Sequence, residues 1–146
     1  MSGMQRIGNW FVRTVLRSPL HGMMSRFLML LTYTGRRSGT EYTIPLGYHQ
    51  QGRAVTVLVG RAGDKVWWRN FDGGGAPVTL RLRGEAVAGT ARVVDGRPAR
   101  DAMEAYFRGQ PRSAKAFGVE ERSGVIDPEA LDEALERIPV VRIDLA

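Results

Sequence analysis

The 146-residue sequence predicts a mainly β chain with flanking helices, an α+β arrangement. About six short antiparallel strands would form a small closed or half-open barrel. Three observations carry this. The middle of the chain alternates apolar and polar residues with a period of two. Helical patterns occupy both ends. Strand–helix–strand alternations are few, and no Gly-x-Gly-x-x-Gly follows a strand, which argues against a doubly wound dinucleotide fold.

Residues 5–17 read as an amphipathic helix. Ile7, Trp10, Phe11 and Val15 fall on one face, and Arg6, Arg13 and Arg17 gather on another. Ser18-Pro19 ends it, because proline disfavours helix at the preceding residue. A second short helix is expected over 20–26. An apolar run, 27–34, reads as the first strand. In the next, Tyr42, Ile44, Leu46 and Tyr48 alternate with Glu41, Thr43, Pro45 and Gly47. Residues 50–52 read as a turn, 54–59 as a strand, 60–65 as a glycine-containing loop and 66–71 as a helical turn. Asp72-Gly73-Gly74-Gly75 breaks the chain. Val78, Leu80 and Leu82 alternate with Thr79 and Arg81, and a further strand covers 86–94. A helix over 99–108 follows Pro98. Asp127-Pro128 reads as a cap followed by proline at the first helical position. Leu131, Ala134, Leu135 and Ile138 then form an apolar stripe, and 140–145 closes the chain as a strand. No linker separates two domains. The expectation is one domain over 1–146, with a helical segment at 1–26, a barrel core at 27–94, and helices and a closing strand at 95–146.

Composition narrows the chemistry. There is no cysteine, which excludes a disulfide scaffold, a thiolate nucleophile and a cysteine-ligated metal. His21 and His49 stand far apart, and no His/Asp/Glu spacing suggests a metal site. A Gly-x-Ser-x-Gly elbow is missing. The net charge is +6, and it is local. Arg6, Arg13, Arg17, Arg26, Arg36 and Arg37 lie in residues 1–40, which hold no acidic residue, while the rest of the chain balances. The basic third implies an acidic counterpart: an anionic cofactor, anionic lipid or nucleic acid. No stretch is long and apolar enough for a membrane span, and arginines interrupt any signal-like run. A cytoplasmic setting is expected.

Two segments stand out. Thr34-Gly35-Arg36-Arg37-Ser38-Gly39-Thr40 sits between the first two strands. Glycines let backbone N–H groups converge, and two guanidinium groups and three hydroxyls add donors, which is the make-up of a phosphate or carboxylate cradle. A solvated basic hairpin loop is the plainer alternative, and spacing alone does not separate them. The second segment is Gly60-Arg61-Ala62-Gly63 with Trp67-Trp68-Arg69-Asn70-Phe71. Adjacent tryptophans cannot share a helix face, so one can pack inward while the other lines a cleft with room for a flat ring system. An aromatic core anchor with an asparagine cap is the plainer reading here.

Together these segments, with Pro45-Leu46 in the strand between them and the ending Ile138-Pro139-Val140-Val141, resemble the deazaflavin (F420)-dependent nitroreductase and quinone-reductase family, a branch of the flavin-type split β-barrels. The resemblance runs from about residue 27 to about residue 94, with its elements in order. It implies a split β-barrel that binds coenzyme F420. Gly35, Arg36, Arg37, Ser38 and Gly39 would hold the coenzyme's phosphate and acidic tail. Pro45 and Leu46 would offer backbone beside the ring. Gly60, Arg61, Ala62 and Gly63 would cover the phosphate–ribityl region, and Trp67, Trp68 and Asn70 would frame the deazaflavin end. A hydride would pass from reduced deazaflavin to a flat apolar acceptor such as a quinone, enone or nitro compound. Tyr48 is the candidate catalytic proton donor, although alternation places it with Leu46 and Tyr42 on the barrel face. Tyr33, Tyr106 and His49 are further donors, His49 being read as exposed beside a turn.

Two departures mark this chain. Gly60 stands where the family often has Ser, and residues 109–127 hold no Tyr and one aromatic, Phe117. The changed 109–127 segment motivates an alternative within the fold: a barrel that binds FMN, haem or a fatty acid without deazaflavin chemistry. A third class is a membrane-surface or nucleic-acid module. Peripheral membrane contact would run through residues 5–17, and nucleic acid is disfavoured because no recognised motif appears. A homodimer is expected by analogy with such barrels.

Overall fold

A computed structural model describes residues 28–119, 121–122 and 125–146. The helices expected over 5–17 and 20–26, and the membrane contact assigned to the first of them, lie outside these residues.

Alternation sets the barrel. In β1 (Leu28–Thr34) Met29, Leu31 and Tyr33 are buried, and in β5 (Ala76–Leu82) Val78, Leu80 and Leu82 are buried. The residues between them face outward, as a half-buried strand requires. β4 (Ala54–Leu58) instead has a run of four buried residues, because it is covered on both faces. β2 (Glu41–Gly47), β3 (His49–Gln51), β6 (Glu85–Val94) and β9 (Val140–Leu145) complete an antiparallel sheet of order β2-β1-β5-β6-β9-β4-β3. β7 (Glu121–Arg122) and β8 (Val125–Ile126) form a separate two-stranded ladder.

The sheet order carries the closure. β2 and β3 are opposite edges, yet Tyr48 alone separates them in the chain. A flat sheet of seven strands would hold those edges roughly 28 Å apart at the usual strand spacing, so the sheet has to curl until they meet. The expected split barrel is the observed one. The seventh strand is a departure from the sequence reading, which took 50–52 as a turn. Gln50 and Gln51 carry turn-like composition, but they pair with Val55 and Ala54.

Three helices lie on the outside of β4 and β9. α1 (Gly96–Gly109) begins earlier than the expected residue 99, taking Pro98 into its first turn, where a missing N–H costs nothing. α2 (Pro111–Ala116) and the β7–β8 ladder fill a segment that the sequence left unassigned. α3 (Pro128–Arg137) starts as expected: the Asp127 side chain accepts a hydrogen bond from the Glu129 amide at 3.1 Å. Two apolar clusters result. One fills the barrel, from Met29, Leu31 and Tyr33 to Trp67, Phe71 and Ile143. The other lies between sheet and helices and includes Leu58, Met103, Phe107, Leu131 and Val140. No helix among the described residues is long and apolar enough to cross a membrane.

Candidate functional site

The β1–β2 loop is folded by its own backbone. The Gly35 amide donates to the Thr40 carbonyl and the Gly39 amide to the Gly35 carbonyl, each at 2.8 Å. The Thr40 amide donates to Ser38 Oγ at 3.1 Å, and that hydroxyl lies 3.4 Å from the Tyr42 phenol. Gly35 is glycine for space: a Cβ there would sit 2.8 Å from Ser38 Oγ and 3.0 Å from the Tyr42 ring. Arg36 and Arg37 are exposed, and no carboxylate among the described residues pairs with either.

Thirty-odd residues later the chain returns to this loop. Two 3-10 turns, Ala62–Asp64 and Trp67–Phe71, follow β4. Asn70 joins them to the first loop. Its Oδ1 accepts from the Arg36 amide at 2.9 Å, and its Nδ2 donates to the Trp67 carbonyl at 2.8 Å. Asn70 is thus a clamp between the segments. Trp68 joins the two turns, its indole N–H donating to the Lys65 carbonyl at 3.0 Å and also lying 3.4 Å from the Ala62 carbonyl. The adjacent tryptophans part as their spacing requires. Trp67 is buried against Phe71, with ring centroids 6.2 Å apart. Trp68 is half-buried, carries the Arg69 guanidinium 5.5 Å over its ring and lines an apolar cavity of about 520 Å³ with Ala62, Gly63, Ala99 and Ile138.

Arg61 has left-handed backbone (φ 55°) and pairs with Asp64 at 3.4 Å. Pro45 is exposed on the edge strand β2, and Leu46 packs against the barrel cluster. Gly60 lies under the ring of Phe117. Tyr48 is buried in the barrel cluster, the position its alternation implies, and its carbonyl accepts from Gln110. Tyr33 is held above its usual range by burial and by neighbouring Tyr42, and burial pushes Tyr106 up to about 12. His49 departs from its reading as exposed: α1 covers it, it is half-buried near Tyr106, and burial lowers its pKa.

Sequence reasoning missed Tyr42. It stacks on Tyr33 at 5.5 Å and contacts Ser38, tying the donor loop to the barrel. Its signal was present, since position 42 alternates inward on β2. The Arg36–Asn70 bond had no local signal. Among the described residues no group of His, Asp or Glu could hold a metal.

The arrangement is a donor-rich loop joined to an aromatic shelf. Arg37 and Ser38 amides make no hydrogen bond to described residues, and both guanidinium groups are unpaired there. Such a loop can hold an anionic group, and Trp68 can flank a flat ring.

Comparison with known proteins bears on the fold and the family. A structure of an F420-H2-dependent reductase is 19% identical, with a TM-score of 0.59, over 82% of this chain and 95% of that one. A structure described as a domain-swapped dimer is 18% identical, with a TM-score of 0.58, over 93% and 98%. An FAD-binding protein from Mesorhizobium loti is 14% identical, with a TM-score of 0.50, over 88% and 90%. At these identities the likeness establishes the fold. Among curated proteins no sequence matches. The family model of the F420H(2)-dependent quinone reductases matches residues 5–122, and the chain belongs to that oxidoreductase family.

Proposed function

We propose that this chain binds reduced coenzyme F420 across the joined 35–39 and 60–71 segments and passes its hydride to a flat apolar acceptor of the quinone, enone or nitro class. The observation that carries the reading is a set of donors without partners among the described residues, the Arg36 and Arg37 guanidinium groups and the Arg37 and Ser38 amides, held to the Trp67–Phe71 turn through Asn70. A coenzyme with a phosphate and a poly-glutamate tail matches such a set, and family membership supports it.

Arg36, Arg37, Ser38 and Gly39 would hold the anionic part, with Gly60, Arg61, Ala62 and Gly63 flanking it. Pro45 and Leu46 would offer backbone beside the ring system, framed at its end by Trp67, Trp68 and Asn70. The bound coenzyme would supply the hydride, so the protein needs neither a metal nor a carboxylate pair for this step. The chain's own contribution is position and exclusion of water. Trp68 is pinned by its indole bonds and cannot swing freely. The cavity beside it has the volume of a small-molecule pocket and an apolar lining, which suits the acceptor. A second copy of the chain is proposed as partner, supported by the neighbour described as a domain-swapped dimer. Light scattering on a sizing column checks it.

The test is a parallel fluorescence titration of purified protein with F420 and with FMN. Saturable F420 binding with weak FMN binding is expected. Binding of FMN alone would keep the fold and remove the deazaflavin chemistry.

A further inference from the structure

Gly60 is glycine for want of room. Its φ lies outside the left-handed region, so its backbone suits any residue. A Cβ there would come 3.2 Å from Phe117 Cε1, closer than ordinary van der Waals contact, with Cδ1 and Cζ at 3.9 Å. Two departures noted separately in the sequence are therefore one contact: the missing side chain at 60 makes the seat for the ring at 117.

Phe117 is held firmly in that seat. It caps α2, its amide donating to the Ser113 carbonyl, and its own carbonyl accepts from the Arg137 guanidinium on α3. Its ring packs against Phe107 at 6.0 Å and Tyr106 at 6.4 Å, both on α1. All three helices thus meet at Phe117, α1 through its ring and α3 through its carbonyl. The residue before Gly60 is pinned as well, since the Val59 amide donates to the Pro139 carbonyl. Beyond Gly60 the chain has five residues in which to reach Val66, and the carbonyls of Ala62 and Lys65 in this stretch hold the Trp68 indole.

We propose that Phe117 is a positioning residue for the candidate site. It acts through Gly60 on the 60–65 loop and hence on Trp68, without touching the ligand. The functional part of this inference rests on the F420 reading above. The physical part, that the ring sets the loop and Trp68, does not.

The experiment compares wild type, Gly60→Ala, Phe117→Leu and the double variant, with a thermal melt for each to establish folding. F420 affinity is read by fluorescence titration. Trp68 exposure is read by acrylamide quenching in a Trp10→Phe background without coenzyme, Trp67 being buried. Gly60→Ala is expected to weaken F420 binding by about tenfold and to change Trp68 quenching, since overpacking shifts the loop. The double variant is expected to recover most of both losses, because the smaller side chain reopens the seat. Unchanged quenching in folded Gly60→Ala overturns the proposal, as does a double variant no better than the single. If wild type fails to bind F420 while quenching shifts and recovers, positioning of Trp68 stands and the functional reading falls.

Discussion

The barrel interior is filled from alternate positions of its strands, with Trp67 and Phe71 reaching in from the turn that follows β4. The layer between sheet and helices is filled by residues of α1, α2 and α3 against Leu58 and Val140. Both clusters are well buried. They differ in what else their residues do. In the barrel, the turn that plugs the core also carries Trp68 and sets Asn70 against the donor loop, so packing and the candidate site share one short segment. In the helical layer no residue belongs to the donor loop, but Ala99 and Ile138 line the cavity beside Trp68 and Phe117 lies on Gly60. Stability and affinity should therefore move together at the barrel plug and separately at helical-layer residues, such as Leu131, that line neither the cavity nor the Phe117 seat.

Phe71→Ala tests this most severely. The ring is 1% exposed and meets Tyr33 and Trp67 edge-on. Its removal is expected to cost ~3–5 kcal/mol in chemical denaturation and to lower F420 affinity in whatever protein remains folded. Leu131→Ala in α3, 2% exposed, is expected to cost ~2–5 kcal/mol while leaving affinity unchanged. Equal losses of affinity in the two variants would erase the distinction.

Next in size is Arg36→Ala combined with Arg37→Ala. Charge-assisted hydrogen bonds contribute ~1.5–3 kcal/mol each, so an affinity loss of about a hundredfold or more is expected. The melting temperature should hold, because neither guanidinium has a carboxylate partner among the described residues.

Asn70→Ala should be milder on both counts. Two hydrogen bonds are lost and the Arg36 amide is left without its partner, at a cost of ~1–2 kcal/mol in denaturation. Affinity should fall by several-fold, since the two segments are no longer clamped. A variant with wild-type affinity would separate the donor loop from the Trp68 shelf.

The smallest effect is one of pH. Burial lowers His49 below its ordinary value of 6.5, so the unfolded chain takes up the proton first as pH falls. The stability tied to neutral His49 is full above pH 6.5 and is lost as pH drops below it. His49→Gln is expected to flatten the denaturation midpoint over that range relative to wild type.

Much of this fold was legible because half-buried strands write a period of two into the chain. β1, β5 and the run 42–48 show it plainly, and Asp127-Pro128 announced α3. β3 was missed because three residues leave no period to read, and what makes them a strand is the distant β4. The content of 109–127 was missed for a related reason: α2 is six residues long and is defined by what it packs on. The candidate site was legible as a set of residues, from glycine and arginine chemistry and from the impossibility of two adjacent tryptophans facing one way. Its assembly was not. The Arg36–Asn70 bond spans 34 positions and the Gly60–Phe117 contact joins residues still farther apart, and neither leaves a trace in the neighbouring sequence.

The bend at Tyr48 has a bearing on solubility. The rim of a sheet offers unsatisfied amides and carbonyls to which a foreign strand can add. Here both rims come from a single stretch of chain folded back at one residue, and each is poor bait. β3 offers only three residues, and Pro45 deprives β2 of a donor at its middle. Gln110 already occupies the Tyr48 carbonyl at the fold between them. Strand addition starts at an open edge, and neither of these two edges offers a long uninterrupted row of donors.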